Sequence, residues 1–273
     1  MSQDLFDIRG KRVVVTGGTG VLGGEMVRAL AARGARVCLL RRNPDRGNEL
    51  LAQVRAGGGD IIALGADVLD RSALQAAAEE LTQRWGGLDV LVNGAGGNRK
   101  DATATATTPF FDLPAEALRW VLDLNAMGTI LPSQVFGRLI AQQKAGVILN
   151  IASMAGLRPL TNVVAYAAAK AAVANFTQWL AVYMAQNHSP AIRVNAIAPG
   201  FFLTEQNRFL LIDETSGELT PRGATIVGHT PMARLGQPAD LTGALLWLVS
   251  DASAFVTGTV VAVDGGFSAF SGI

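Results

Sequence analysis

The sequence predicts an α/β fold, a doubly wound parallel sheet of about seven strands with helices on both faces. Short runs of β-branched residues alternate with longer stretches rich in alanine and leucine along the whole chain. This alternation is typical of parallel strands joined by right-handed helical crossovers. Of the 273 residues 49% are hydrophobic and 16% are charged, which argues against disorder and allows one large core. We therefore expect a single domain over residues 1–273.

The strands are predicted where apolar residues cluster in short runs without polar alternation, as in strands buried on both faces. The predicted strands are 12–16, 35–40, 60–64, 88–93, 146–152, 192–198 and 259–263.

The helices are predicted in the longer stretches between these strands, at 23–33, 71–85, 115–143, 162–186 and 238–250. Pro132 lies inside the third helix and predicts a kink or a break there. Residues 205–232 lack clear periodicity, and we expect them to form an inserted substrate loop or lid. A mobile surface insertion is the alternative.

Composition excludes several classes of partner. Twenty-three basic residues against 22 acidic ones give no broad basic face for nucleic acid. Cys38 is the one cysteine, and with only two histidines neither a disulfide nor a metal site is expected. The polar N-terminus does not resemble a signal peptide, and no run of 18 apolar residues predicts a membrane span. We expect a cytoplasmic protein with a small-molecule substrate.

A glycine-rich segment follows the first predicted strand and leads into the first predicted helix. Glycines at such a turn let the backbone approach a pyrophosphate, and the helix N-terminus offers N–H groups and a positive dipole to that anion. The placement predicts a dinucleotide site rather than an ordinary tight turn. The residues assigned to it are Gly17, Thr19, Gly20, Val21, Leu22 and Gly23.

The second predicted strand ends in Arg41 and Arg42, with no acidic residue. At this place an acid binds the 2′-hydroxyl of the adenosine ribose, whereas arginine accommodates a 2′-phosphate. The sequence therefore favours NADP(H), with NAD(H) still possible. Two solvated surface arginines are the alternative interpretation.

Tyr166 and Lys170 are four residues apart in the fourth predicted helix, so they share one helix face. An ammonium about 5 Å from a phenol would favour the phenolate by roughly 2 pKa units at an effective dielectric near 20. Tyrosine could then exchange protons with an alcohol or a carbonyl. Ser153 follows the fifth predicted strand, at the sheet edge where open α/β sheets bind ligands.

Further motifs match a known family in order along the chain. They are Asp67-Val68, Asn93-Gly94-Ala95-Gly96, Leu124-Asn125-Ala126, Arg193-Val194-Asn195, Pro199-Gly200 with Thr204, and Asp264-Gly265-Gly266. With the glycine loop, Ser153 and the Tyr166–Lys170 pair, the sequence resembles the compact, single-domain branch of the short-chain dehydrogenase/reductase superfamily, a Rossmann-type fold. Two features depart from that branch: the spacing Gly17-x-x-Gly20-x-x-Gly23, and Ala152 where many relatives carry a serine.

The resemblance implies a role for each matching residue. Tyr166 would be the general acid or base, and Ser153 would bond the substrate oxygen. Lys170 would lower the pKa of Tyr166 and hold the nicotinamide ribose. Asn125 would anchor a water in the proton relay, with a structural cap as the alternative. The resemblance also implies adenosine contacts from Asp67, Val68, Asn93, Gly94, Ala95 and Gly96, and nicotinamide contacts from Pro199, Gly200, Phe202 and Thr204.

Several stretches resemble one subgroup, the D-mannonate oxidoreductase-like (fructuronate reductase-like) enzymes. They are residues 16–24, 93–98, 176–181, 199–208, 229–232 and 264–272. The resemblance suggests a sugar-acid substrate, whose carboxylate and hydroxyls need a cation and polar donors. The candidate substrate residues are Asn98, Arg158, Asn207 and His229, with Arg99, Lys100, Gln206 and Arg208 as further candidates.

Three alternatives remain open at this stage. The enzyme could reduce 3-ketoacyl thioesters, for which Phe201, Phe202, Phe209, Leu210 and Leu211 could form an apolar trough, or it could act on neutral polyols and ketoses. A dinucleotide-binding sensor without turnover is the third. The resemblance also implies a homotetramer or homodimer built through long helices, for which Trp179, Leu180 and Val182 are available unless they belong to the core.

Overall fold

Within the described residues of this computed structural model, which are 4–204, 208–213 and 215–272, seven strands form one sheet. Every pair of neighbouring strands is parallel, and the order is β3-β2-β1-β4-β5-β6-β7. The predicted fold class is therefore confirmed. The strands are β1 Arg12–Thr16, β2 Arg36–Arg41, β3 Ile61–Gly65, β4 Val90–Asn93, β5 Gly146–Ile151, β6 Ile192–Pro199 and β7 Val260–Val263.

The helices lie between these strands and at the carboxyl edge of the sheet. They are α1 Val21–Ala32, α2 Asn48–Ala56, α3 Arg71–Trp85, α4 Ala115–Leu122, α5 Gly128–Gln143, α6 Val164–Asn187, α7 Arg208–Leu211, α8 Pro221–Gly228 and α9 Thr242–Val249. No helix among the described residues is long and apolar enough to cross a bilayer.

The sheet is buried on both faces. In β1, Val13 and Val15 belong to one core cluster together with Met26 and Leu245, whereas Val14 belongs to a second cluster on the opposite face. Alternate residues of a strand point to opposite faces, so a strand covered on both sides needs apolar residues at every position. This explains why the strands appear in the sequence as uninterrupted apolar runs.

The long helix predicted over 115–143 is interrupted, but not at Pro132. A π turn over Asp123–Met127 separates α4 from α5, and α5 continues through Pro132. Proline lacks the N–H that would bond the carbonyl four residues earlier. That carbonyl belongs to Gly128, the first residue of α5, so the missing bond falls at the helix start, directly after the wider turn. The predicted position of the break is therefore wrong.

Helices α2, α7 and α8 have no counterpart among the predicted helices, and the latter two fall within residues 205–232. Helix α8 has clear local signals: Thr220 accepts a hydrogen bond from the Gly223 N–H at 3.1 Å, and Pro221 occupies the first helical position. This segment is thus partly helical. Its assignment as a substrate-loop insertion stays a prediction.

Candidate active site

The strand order reverses between β1 and β4, and the loops after these two strands lie side by side. The Thr16 hydroxyl accepts hydrogen bonds from the Gly94 and Ala95 N–H groups, at 3.1 Å each. In open α/β sheets, ligands bind at such a switch point, outside the carboxyl ends of the strands.

The glycine loop is packed too tightly for side chains at two positions. Gly17 has a φ of +68°, and a Cβ there would overlap the Gly94 carbonyl. A Cβ on Gly23 would overlap the Gly17 carbonyl. Helix α1 begins just after Gly20, which has no side chain to cap the first turn, and no acidic residue stands there. The first N–H groups therefore remain available to an anion.

A cavity of about 470 Å³ runs from this loop to the carboxyl ends of β5 and β6. Its size, its glycine cradle and the open helix N-terminus fit a dinucleotide with a pyrophosphate at its centre. It brings together most of the predicted cofactor and catalytic residues: Gly17, Thr19, Gly20, Val21, Leu22, Gly23, Arg41, Arg42, Asp67, Val68, Gly94, Ala95, Gly96, Ser153, Tyr166, Lys170, Pro199, Gly200 and Thr204.

Three arginines surround the end of this cavity next to β2. Arg41 donates from Nη1 to the Arg46 carbonyl and to the Asn48 Oδ1, at 2.7 Å each, so it holds the loop between β2 and α2. Arg42 lies 3.6 Å from the Asp67 carboxylate. Arg42 and Arg46 also line the cavity, so three arginines and Asp67 give this end a net positive charge.

Ser153, Tyr166 and Lys170 meet where the cavity reaches β5. Ser153 begins a short 3₁₀ turn directly after β5, and its hydroxyl accepts the Ala155 N–H at 3.1 Å. The Lys170 ammonium donates to the Ile151 carbonyl at 2.7 Å and lies 5.7 Å from the centre of the Tyr166 ring. Ser153 and Lys170 are buried and Tyr166 is half-buried.

The pKa values of Tyr166 and Lys170 differ from those expected from the sequence. Burial raises the pKa of Tyr166, because the phenolate is poorly solvated, and a hydrogen bond with Ser153 opposes that rise. Burial also lowers the pKa of Lys170 to about 8. The expectation that Lys170 brings the pKa of Tyr166 below its usual value is therefore wrong for the protein alone, since desolvation disfavours both charged forms.

Three residues assigned to the site do not line this cavity. The side chain of Asn125 is fully buried and bonds the backbone of Gly97 and Val121. The Asn93 amide donates to Ser133 and Asn150 inside the core. These two residues support the floor of the site from below.

Phe202 is buried and lines a separate small cavity together with Met232 and Gly236. Its backbone pairs with Gly236 in an isolated parallel bridge, and its ring packs against the same glycine. The structure thus turns this side chain away from the position assigned to it beside the nicotinamide.

A second cavity, of about 820 Å³, adjoins the first, and Tyr166 lines both. Of the predicted substrate residues, Asn98, Arg158 and His229 line it, whereas Asn207 lies outside the described residues. The C-terminal segment forms one wall: the His229 ring packs against Phe267 and Phe270, with centroids 5.1 and 5.0 Å apart. The carboxylate of Asp264 fixes this segment by accepting the N–H groups of Gly266 and Ser268, at 2.9 Å each.

Several lining residues were not identified from the sequence. In the first cavity they include Asn43, Arg46, Gly97, Trp120 and Leu124, and in the second they include Thr161, Asn162, Arg222, Thr225 and Ile226. For α8 a signal was present, because residues 222, 225, 226 and 229 have the spacing of one helix face.

Comparison with known proteins agrees with this geometry. A family model described as enoyl-(acyl carrier protein) reductase matches residues 20–268. An uncharacterized oxidoreductase, UxuB, of Bacillus subtilis (strain 168) is 45% identical over 276 residues, which cover 98% of each chain.

Two examples come from the similar solved structures that carry dinucleotides. One, a candidate D-mannonate oxidoreductase from Haemophilus influenza with bound NAD, has a TM-score of 0.91 and 40% identity, covering 98% of each chain. The other, a gluconate 5-dehydrogenase from Burkholderia cenocepacia J2315 in complex with NADP and tartrate, has a TM-score of 0.87 and 30% identity, covering 97% of this chain and 98% of that one. The chain therefore belongs to the short-chain dehydrogenase/reductase family and is an NAD(P)-dependent oxidoreductase that acts on CH–OH donors.

Proposed function

We propose that the enzyme interconverts a secondary alcohol and a ketone on a sugar acid of the D-mannonate/D-fructuronate type, with NADP(H) as the preferred cofactor. One observation carries the proposal: Tyr166 lines both the glycine-loop cavity and the adjoining polar cavity, and Ser153 and Lys170 stand beside it. A phenol at this junction can reach a carbonyl held in one cavity while a nicotinamide occupies the other.

The three side chains divide the proton chemistry between them. Tyr166, protonated at neutral pH because burial raises its pKa, donates its proton to the developing alkoxide during reduction. The Ser153 hydroxyl bonds the same oxygen and fixes its position. Lys170, with a pKa near 8, is poised to return a proton to the tyrosine and to bond a ribose hydroxyl. A bound nicotinamide would supply or accept the hydride.

The cofactor preference follows from the charges beside β2. Arg41, Arg42 and Arg46 meet at the end of the cavity where the adenosine ribose would lie, and the strand ends without an acid. A 2′-phosphate carries about two negative charges, and guanidinium groups bond it strongly. The NAD in the Haemophilus relative makes NAD(H) the competing choice.

The substrate class is supported by the chemistry of the second cavity and by the relatives. Asn98, Arg158 and His229 supply a cation and polar groups there. Two related structures are described as enzymes of hexonates, a D-mannonate oxidoreductase and a gluconate 5-dehydrogenase.

A substrate panel tests the proposal. D-mannonate, D-gluconate, D-mannitol and a 3-hydroxyacyl thioester are each offered with NADP⁺ and with NAD⁺, and turnover is followed at the nicotinamide absorbance. The proposal expects the highest kcat/KM for a hexonate with NADP⁺. Efficient turnover of the polyol or the thioester with no turnover of either hexonate would refute the sugar-acid assignment.

A reductase of 3-ketoacyl thioesters is the second candidate, and an aromatic wall favours it. Phe201 packs edge-on against Phe267 with centroids 5.0 Å apart, and both line the second cavity. Among the residues predicted to form an apolar trough, Phe202 lines a separate cavity instead. The side chains of Phe209 and Leu210 lie outside the described residues. The thioester arm of the panel separates the two candidates.

We further propose a homotetramer or homodimer in the cytoplasm. Trp179 and Val182 are both 56% exposed on α6, whereas Leu180 belongs to the core. Trp179 stacks between Phe176 and Tyr183, with centroids 6.2 and 5.1 Å away, which presents a flat aromatic surface. Light scattering on wild type and Trp179→Glu tests the assembly, and a monomeric wild type would refute it.

A further inference from the structure

The second cavity has an unequal distribution of charge. Two arginines, Arg158 and Arg222, line it, and none of its described lining residues is an aspartate or a glutamate. Arg99, which does not line this cavity, is paired. Arg99 bonds both carboxylate oxygens of Asp101, at 2.9 and 2.5 Å, and its guanidinium lies over the Trp120 ring. The charge of Arg99 is therefore already compensated, whereas no described carboxylate pairs with Arg158 or Arg222.

Arg222 stands on the face of α8 that borders the cavity, with Thr225, Ile226 and His229. The helix is fixed beneath it: Gly223 packs so closely on the Leu211 backbone that no side chain fits there. Within the described part of the chain, no carboxylate or carbonyl bonds the Arg222 guanidinium. Its five N–H donors remain available to a ligand.

Arg158, which follows Ser153 by five residues in the sequence, lines the same cavity. Its Nε donates to the Ser268 carbonyl at 3.3 Å, which ties it to the C-terminal wall. This bond uses Nε alone, so the two terminal nitrogens can still bind a second acceptor. The rings of Phe267 and Phe270, which pack against His229, line the same part of the cavity.

We propose that Arg222, together with Arg158, binds the carboxylate of the substrate and sets the preference for sugar acids over neutral sugars. The inference rests on the proposed function, which places the carbinol group that reacts next to Tyr166. A guanidinium matches a carboxylate with two parallel hydrogen bonds. Two such groups, with no aspartate or glutamate among the described lining residues, favour an anionic substrate.

A binding experiment tests this without turnover. Calorimetry measures the affinity of D-mannonate and of D-mannitol, which differ in one carboxylate, for enzyme saturated with NADPH and separately with NADH. We expect wild type to prefer D-mannonate, and Arg222→Met to lose about ten- to a hundredfold in affinity for D-mannonate with less than about threefold change for D-mannitol. Arg33→Met, which removes another exposed arginine directly after α1, should keep the preference.

Arg222→Lys and Arg158→Met refine the result. Lysine keeps the positive charge but lacks the planar guanidinium with its paired N–H donors, so Arg222→Lys should retain part of the preference for D-mannonate. Arg158→Met should reduce that preference. If Arg222→Met does not fold, Arg222→Gln gives the same comparison.

An unchanged preference in Arg222→Met, or an equal loss for both ligands, would overturn the proposal. Absence of turnover of either hexonate, with an Arg222-dependent binding preference intact, would instead refute the proposed reaction and leave this binding site standing.

Discussion

Asn125 and Gly97 exchange two hydrogen bonds through the side chain of the asparagine. The Asn125 Nδ2 donates to the Gly97 carbonyl at 2.7 Å, and its Oδ1 accepts the Gly97 N–H at 3.1 Å. The same Nδ2 also donates to the Val121 carbonyl at 2.8 Å. Asn125 thus fastens the loop after β4 to the π turn. A Cβ on the neighbouring Gly96 would lie 3.1 Å from the Lys170 Nζ, so this loop also borders Lys170.

Replacing Asn125 with alanine should destabilise the protein. The change removes the side-chain partners of the half-buried Gly97 N–H and carbonyl and one bond to the Val121 carbonyl, and the total loss should be about 2–5 kcal/mol. Urea unfolding measures it. Asn187→Ala, which removes an exposed amide bonded to the Tyr183 carbonyl at 3.0 Å, should cost less than about 0.5 kcal/mol. Equal losses in the two variants would contradict the role of Asn125.

Two glycines of the loop should respond differently to alanine. A Cβ on Gly23 overlaps the Gly17 carbonyl, whereas one on Gly20 lies 3.4 Å from it, an ordinary contact. We expect Gly23→Ala to lower the free energy of unfolding by about 1–3 kcal/mol through overpacking. Gly20→Ala should keep wild-type stability but lose dinucleotide affinity, because its methyl group lies where a pyrophosphate would approach. Thermal unfolding and fluorescence titration with NADPH measure the two effects. Tight NADPH binding by Gly20→Ala would place the pyrophosphate elsewhere.

The buried Lys170 should make stability depend on pH. Its pKa falls from 10.5 unfolded to about 8 folded, so between these values the unfolded chain binds more protons. The free energy of unfolding therefore rises with pH across this window, by up to about 3 kcal/mol, and the destabilisation is fully present below pH 8. The difference in unfolding free energy between wild type and Lys170→Met should follow this rise between pH 7.5 and 10.5.

Lys144→Met provides the baseline for that measurement, because the Lys144 side chain is exposed. A difference between wild type and Lys170→Met that stays flat over the same pH range would show that Lys170 is not desolvated in the folded protein.

The arginines beside β2 should control the choice of dinucleotide. We expect Arg42→Ala and Arg46→Ala each to raise the KM for NADPH by about ten- to a hundredfold and to leave the KM for NADH within about threefold. Arg41→Ala should act indirectly, because Arg41 bonds the Arg46 carbonyl. Arg71→Ala, at the exposed start of α3, is the control. Parallel changes in both KM values would mean that these side chains do not contact a 2′-phosphate.

The sheet could be predicted from sequence because burial on both faces leaves continuous apolar runs, such as Val147-Ile148-Leu149 in β5. The pairing of Tyr166 with Lys170 could be predicted for a similar reason, since a spacing of four on a helix fixes their proximity. Both signals are local. A local sequence pattern predicts a structural feature when the geometry of that feature does not depend on distant residues.

The functions of Asn93, Asn125 and Phe202 depend on partners far away in sequence. Asn93 bonds Ser133 and Asn150, 40 and 57 residues away, so its orientation into the core has no local signature. The pKa of Tyr166 was misjudged because a spacing reveals the neighbouring ammonium but not the desolvation of both groups. Arg222 lies on α8, whose local signals, Thr220 before Pro221 and the spacing of residues 222, 225, 226 and 229, were present in the sequence but do not reveal the cavity that this face borders.

Tyr166→Phe tests the central claim most directly, because it removes one hydroxyl from the junction of the two cavities. Turnover of the best substrate in the panel and affinity for NADPH are measured on the same preparation. We predict that kcat falls by at least about a hundredfold, the scale of general acid–base catalysis, while the Kd for NADPH changes by less than about threefold. Wild-type turnover in Tyr166→Phe would contradict the account, since the proton would then come from another group.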